Sequence, residues 1–384
     1  MDFSFTPEQE KFRQEVREFL KREVTEELIQ EAELGTLIGM GPAIRAFYKK
    51  LGEKRWVCPC LPKEYGGMGA THIERLMLDE ELMYHRAASP MMVGSQVVGP
   101  TLMMYGSEEL KHEFLPRIAQ GEIEFALGYT EPDAGSDLAN LSIRADEKDG
   151  YFVVNGGKIF NTGCHYADYV WLAARTDVTA AKHRGISLFI VDLKTPGISL
   201  NALYTMDSER TNEVFYDDVK VPKKYLVGEK NRGFYYIATA LAFERNFPVG
   251  MLRRNYEDLV EYVKETGKNT DPLVRQKLAQ LKIELEIAWV FSYQVALLAE
   301  EGIVPEWQAP MTKIFGTELM WHMGYAGLEI LGLYGQLQQG SKWAPLYGRF
   351  EHIYKHARRR MISAGTNEVL RNTIAIRGLG LPRS

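Results

Sequence analysis

The feature that most constrains this chain is a double change in the period of its apolar residues. From residue 7 to about 125 they recur at helical spacing: Phe12, Val16 and Phe19-Leu20 with charges between them, then stretches over 71–85 and 91–105. Thr6 followed by Pro7, with Glu8 and Glu10 in the first turn, marks a helix start. Near residue 126 the pattern becomes short β-branched and aromatic runs between turn residues: 151–155, 169–173, 186–191, 214–216 and 219–221. After Gly233 the helical period returns over 234–265, 272–301, 305–335 and 343–378, and four such segments predict an antiparallel bundle. The expected fold is α+β and multidomain. An N-terminal α-helical domain spans 1–125, a middle antiparallel β-barrel or sandwich 126–233, and a C-terminal four-helix bundle 234–384.

Composition narrows the class. With 45% hydrophobic residues over 384 positions the chain can bury a large core. A net charge of −5 supplies no global basic field for nucleic acid. The one strong basic cluster, Lys355 to Arg360, reads as a solvated or partner-facing helix surface. Three cysteines, Cys58, Cys60 and Cys164, argue against a disulfide framework. Cys58-Pro59-Cys60 lacks a second Cys/His pair at zinc spacing, so no metal site is expected. The N-terminus has no secretory pattern and no apolar run reaches membrane-spanning length. The expectation is a cytoplasmic protein, or a mitochondrial matrix protein if this is a processed chain.

Five motifs then point to one family. Tyr129-Thr130-Glu131-Pro132-Asp133-Ala134-Gly135-Ser136-Asp137 resembles the flavin-binding signature of the acyl-CoA dehydrogenases. Asn155 to Gly163 resembles their second flavin segment, with Phe160 where tryptophan is frequent. Val214 to Pro222, with Gly228 to Phe234, resembles the exit from their β domain. Ala364-Gly365-Thr366-Asn367-Glu368-Val369 resembles their C-terminal signature, and Leu61 to Gly67 an N-terminal loop. The motifs stand in family order across nearly the whole chain.

The resemblance implies FAD, an acyl-CoA substrate, an electron-transfer flavoprotein as oxidant, and a tetramer. The implied reaction removes a proton next to the thioester carbonyl and passes the β-hydrogen as hydride to flavin N5. That requires a carboxylate in a dry pocket and donors aimed at the thioester oxygen. Much of the family carries the base just before Gly-Thr in the C-terminal signature, where this chain has Ala364, which cannot accept a proton. A subgroup carries it one residue before an arginine on the first helix of the bundle. Here that position is Glu244, in Ala242-Phe243-Glu244-Arg245. Adjacent helix residues do not face each other, so Arg245 is no natural partner for Glu244. Its apolar surroundings also make an idle carboxylate costly.

The resemblance further assigns Tyr129, Thr130, Ser136, Phe160, Asn161, Thr162, Thr366 and Glu368 to the cofactor. To the substrate it assigns Met91, Met92, Ala364 and Gly365. The methionines suit an adaptable apolar wall, and a helix-borne base suits branched, alicyclic, aromatic or steroid-derived acyl groups. One departure stands out: the arginine with Phe-Gly and the glutamine that reach a neighbour's FAD are missing. Glu329 stands in the glutamine's place, and Lys268, Arg275 or another basic residue is left to substitute for the arginine. Two assemblies stay open, a homotetramer and a heterotetramer with a paralogous subunit. Two rival functions also stay open: a non-catalytic half-site subunit, and a flavin oxidase or monooxygenase on the same fold.

Overall fold

The computed structural model describes residues 4–37, 39–87, 93–244 and 247–383, with the backbone alone at 36 and 241–244. Six helices come first: α1 (Pro7–Glu23), α2 (Glu26–Glu33), α3 (Pro42–Glu53), α4 (His72–Tyr84), α5 (Gly99–Tyr105) and α6 (Glu108–Ala119). Thr6 caps α1 reciprocally with Gln9, and Thr71 caps α4 with Glu74, so two of the orphan N–H groups at each start are satisfied. Eight strands follow: β1 (Phe125–Gly128), β2 (Arg144–Glu147), β3 (Tyr151–Lys158), β4 (Tyr169–Arg175), β5 (Ile186–Asp192), β6 (Ile198–Tyr204), β7 (Arg210–Pro222) and β8 (Leu226–Val227). The chain then returns to helices: α7 (Gly233–Glu244), α8 (Gly250–Glu265), α9 (Pro272–Glu300), α10 (Gln308–Leu331), α11 (Arg349–Ile362) and α12 (Asn367–Thr373).

The strands form one sheet in the order β6-β7-β3-β2-β4-β5-β8, with β1 alongside β4. Most pairings are antiparallel, but two strands run parallel to β4: β1, from Phe125 opposite Tyr169 to Gly128 opposite Leu172, and β2, at Arg144 opposite Arg175. The expectation of two runs at 214–216 and 219–221 gives way to a single strand, β7. Asn155 holds it together across the ladder: its side chain donates to Asp218 Oδ1 at 2.9 Å and accepts from the Asp218 N–H at 2.8 Å. That pins Asp218 at φ 49, a conformation that would otherwise end a strand. Strands β4 and β5 are buried over nearly their whole length, which explains their unbroken apolar runs.

Contacts group the chain into two compact units. One comprises 1–24, 71–87 and 245–384, the other 25–70 and 88–244. Helices α1 and α4 thus belong with the C-terminal helices although they lie far away in sequence. The buried Glu81 carboxylate of α4 accepts from Arg13 at 2.7 Å and Arg17 at 2.9 Å on α1, while Leu76 and Met77 of α4 pack with Tyr293 and Ala296 of α9. The helical run expected over 234–265 is interrupted between α7 and α8, where Phe247-Pro248-Val249 is non-helical; proline disfavours helical backbone at the residue before it. Around α8, α9, α10 and α11 a core forms from Phe247, Leu252, Leu285, Leu319, Met323 and Phe350. Gly327 lets the Phe350 ring lie against α10, since a Cβ there would stand 2.0 Å from it.

Cys58 and Cys164 are buried, Cys60 is half-buried, and none of the three forms a disulfide. The basic run on α11 is spent locally: Lys355 pairs with Glu351 at 2.7 Å and Arg358 lies 4.4 Å from the Trp321 ring. Among the described residues, no helix is long and apolar enough to cross a membrane.

Glu124, between α6 and β1, is buried, and its Oε2 has no partner among the described residues. Burial pushes its carboxyl up from 4.5 to about 8, and Asp168 pushes the same way. A carboxyl raised in the folded state binds its proton more tightly there than in the unfolded chain. Its contribution is therefore whole below about 4.5 and is lost as pH rises through about 8. Glu124→Gln should match the parent near pH 5 and unfold later than it above pH 8, by on the order of a few kcal/mol. Urea unfolding at the two pH values checks this; an equal difference at both would refute it.

Candidate functional site

The unit that contains the sheet gathers the first set of candidate residues. Strand β1 delivers Tyr129 and Thr130, which β3 then fixes from the side. The Ile159 N–H donates to the Thr130 carbonyl at 2.9 Å, and Lys158 Nζ donates to the Tyr129 carbonyl at 2.9 Å. Lys158 is wholly buried and also pairs with Glu131 at 2.8 Å. Glu131 in turn accepts from the Ser142 N–H at 2.6 Å, the Ser142 hydroxyl at 2.7 Å and the Ile143 N–H at 3.1 Å. Burial pushes the Lys158 ammonium down to about 8 against the pull of Glu131. Burial also pushes the Glu131 carboxyl up, but Lys158 and Ser142 outweigh it and hold the group below its ordinary range. With four hydrogen bonds on one carboxylate, the pair is a rigid staple under the Tyr129-Thr130 backbone.

Beyond β3 the chain turns at Phe160, whose φ of 58 is left-handed and whose ring is 59% exposed. An aromatic side chain in that conformation and exposed to solvent costs energy unless something covers it. Asn161 is buried beside it: its amide N–H donates to the Leu127 carbonyl, while its Oδ1 has no partner among the described residues. Asn212 reinforces the turn, donating to the Asn161 carbonyl at 2.9 Å. Thr162 is exposed, its hydroxyl 3.3 Å from that of Thr211. Ser136 is exposed on the loop after Glu131. An uncovered aromatic plane next to an orphaned buried acceptor fits a flat, hydrogen-bonding ring system such as a flavin.

In the other unit, the loop after α11 carries Ala364 at φ 54 and Gly365 at φ 88. Lys313, buried on α10, donates to the Met361 carbonyl at 3.2 Å, the Gly365 carbonyl at 3.0 Å and Asn367 Oδ1 at 2.9 Å. Lysine thereby ties the Gly365 carbonyl of the loop to the last turn of α11. Among the described residues, the Ala364 and Gly365 N–H groups have no hydrogen-bond partner. Thr366 caps α12, accepting from the Val369 N–H at 3.2 Å. The Glu368 carboxyl is held low by its own N–H and by the Thr366 hydroxyl.

Glu244 is the last residue of α7; its side chain, and Met91 and Met92 entirely, lie outside the described residues. The Lys158–Glu131 pair and the Lys313–Asn367 anchor escaped the sequence reading. One signal was available for the first: a lysine at an inward position of a strand that alternates apolar and polar residues.

These features define a class: a helical and β-sheet flavoprotein with a second, donor-bearing loop. Family models place it further. The acyl-CoA dehydrogenase N-terminal domain matches residues 6–122, the middle domain 126–219 and the C-terminal domain 231–379. The chain is 38% identical to acyl-CoA dehydrogenase FadE29 of Mycobacterium tuberculosis, covering 100% of this chain and 99% of that one. It is 29% identical to the mouse mitochondrial long-chain specific acyl-CoA dehydrogenase, covering 97% and 86%. Among solved structures it resembles a "Tcur3481-Tcur3483 steroid ACAD" with TM-score 0.94, 36% identity and full coverage of both chains. It also resembles the ChsE4-ChsE5 complex from Mycobacterium tuberculosis, with TM-score 0.91, 34% identity and full coverage of both.

The chain belongs to the acyl-CoA dehydrogenase family. It is an oxidoreductase that uses a flavin to dehydrogenate an acyl-CoA thioester between its α and β carbons.

Proposed function

We propose that the flavin is FAD, that Glu244 is the base, and that the chain works on a bulky acyl-CoA in a heteromeric assembly. The loop Ala364-Gly365 carries the reading. Among the described residues its two N–H groups have no partner, while Lys313 occupies the Gly365 carbonyl oxygen, so the loop can serve as a donor pair. A thioester oxygen is such an acceptor, and donation grows stronger as negative charge builds there during α-proton removal. The same loop offers no carboxylate, because residue 364 is alanine. The base must then come from elsewhere, and Glu244 is the carboxylate that the family pattern supplies. When bound, the flavin takes the β-hydrogen as hydride. Tyr129 and Thr130 on their staple, together with Phe160, Asn161 and Thr162, are the proposed flavin contacts. Ser136 suits the pyrophosphate, and Thr366 and Glu368 the adenosine end more weakly, since both already serve the α12 cap. Met91, Met92, Ala364 and Gly365 complete the proposed substrate contacts.

Three observations favour a partner subunit over a homotetramer. Lys268 donates to the Ile330 carbonyl and Arg275 to the Asn269 carbonyl at 3.4 Å, so both proposed stand-ins for the missing arginine have local work. Glu329, in place of the glutamine, is tied to Lys277 at 2.5 Å. On α9 the exposed Ile283, Ile287, Val290 and Leu297 form an apolar stripe of the kind an interface covers. The two resembling structures, a steroid enzyme made of two named proteins and a two-protein complex, support a steroid-derived or alicyclic substrate and a paralogous partner. An electron-transfer flavoprotein is the proposed oxidant, and the cytoplasm the proposed compartment.

Purified alone, the chain should carry well under stoichiometric flavin. Co-expression with a paralogue that retains the arginine and glutamine should restore it. Acid release and chromatography should identify FAD, and anaerobic addition of butyryl-, octanoyl-, cyclohexanecarbonyl- and steroid side-chain acyl-CoA should bleach it fastest with a bulky member. Stoichiometric flavin on the lone chain would overturn the heteromer, and preference for the linear thioesters would overturn the substrate class.

A further inference from the structure

Phe247, Pro248 and Val249 lie outside helix just before α8 begins at Gly250, yet the segment is held from several sides. The Phe247 ring is buried against Gly316 of α10, where a Cβ would lie 2.3 Å from a ring carbon. Its carbonyl accepts from the Ser292 hydroxyl at 2.6 Å, and Ser292 is wholly buried on α9. Val249 is fully buried, and a Cβ at Gly250 would lie 2.0 Å from the Glu80 carbonyl oxygen on α4. Three helices, each through a different kind of contact, grip one short turn. A break between helices needs its carbonyls satisfied, but it does not need its side chain pressed onto a neighbouring backbone.

What makes this placement consequential is the sequence position. Phe247 is the third residue after Glu244, and a chain reaches at most about 3.6 Å per residue. We infer that this turn positions Glu244, with Ser292 and Gly316 as its positioning residues; the inference rests on Glu244 being the base. A general base works only within hydrogen-bond reach of its proton, and a displacement near 1 Å costs on the order of a hundredfold. Ser292 at the Phe247 carbonyl and Gly316 beneath the ring each remove one way for the turn to shift.

The test uses the flavin-loaded assembly and whichever thioester of the panel above bleaches fastest. Ser292→Ala frees the carbonyl, and Gly316→Ala pushes the ring. Each should slow flavin reduction about 10- to 100-fold, leave flavin content and apparent thioester affinity within about threefold, and raise the α-deuterium isotope effect. Ser292→Cys keeps the size and a weak donor and should fall between Ser292→Ala and the parent. Independently of flavin, amide exchange in the peptide spanning 241–252 should quicken at least about tenfold in Ser292→Ala. A Ser292→Ala variant that unfolds earlier but reduces flavin at the parental rate would overturn the inference, as would unchanged exchange. Gly316→Ala serves only where it folds; Ser292→Ala and Ser292→Cys decide the matter without it. If Glu244→Gln is itself reduced at the parental rate, the assignment of the base fails. If Glu244→Gln is inert while Ser292→Ala stays parental, only the positioning role fails.

Discussion

Glu244→Gln should reduce the rate of flavin bleaching by acyl-CoA about a thousandfold while leaving bound flavin near the parental level. Glutamine keeps the size and polarity of glutamate but cannot take a proton, and positioned bases contribute roughly 10² to 10⁴ in rate. Thioester binding should change little, because the Ala364-Gly365 donors remain. The effect should therefore lie in the reduction rate at saturating thioester rather than in the concentration needed to reach it. Anaerobic stopped-flow absorbance resolves the two. A reduction rate within tenfold of the parent would remove Glu244 from the mechanism. No residue at position 364 could then take its place, since the alanine there carries no acceptor.

Lys158→Met should be nearly as damaging, by a different route. It leaves Glu131 buried with its charge and without its cation, a situation that costs about 3–5 kcal/mol when one partner of a buried pair is removed. The Tyr129 carbonyl loses its donor at the same time. The variant should unfold at lower urea and, co-expressed with the paralogue that restores flavin to the parent, be purified with little flavin. Lys158→Met combined with Glu131→Gln should regain part of the stability, because the second change removes the stranded charge while Ser142 can still donate to the amide oxygen; the Ile143 N–H, which bonds the other carboxylate oxygen, loses its acceptor. Flavin content should recover less, since nothing replaces the bond to Tyr129. Parental flavin content and unfolding in the single variant would show that the staple has no hold on the cofactor segment.

Both experiments bear on one arrangement. In the proposed site the chemistry falls to a few groups, and each of them adjoins buried polar anchors that take no part in it. Lys158 with Glu131 fixes the Tyr129-Thr130 backbone, and Lys313 with Asn367 fixes the donor loop. Ser292 does the same for the turn beyond Glu244. Loss of any one leaves a buried polar group unsatisfied, and such groups cost more than their hydrogen bonds contribute.

The order of helices, sheet and helices was legible in the sequence because hydrophobic period is a local property: 3.6 for a helix that buries one face, 2 for a strand. The cap at Thr6 and the family itself were legible for the same reason, since each rests on short runs of residues with their own geometry. Tertiary structure alone decided the rest. That α1 joins α4 follows from Arg13 and Arg17 meeting Glu81 across more than sixty residues of chain, and α4 joins the C-terminal helices because Leu76 and Met77 pack with Tyr293 and Ala296. Strand β7 runs unbroken through Asp218 only because Asn155 of another strand pairs with it. Lys158 reads as one more lysine until burial brings Glu131 to it, and Ser292 as one more helix serine until Phe247 is laid against it. Periodicity tells which face of an element seeks the core. It carries no information about which distant polar group will be waiting there, because that depends on how the elements stack and not on the residues along any one of them.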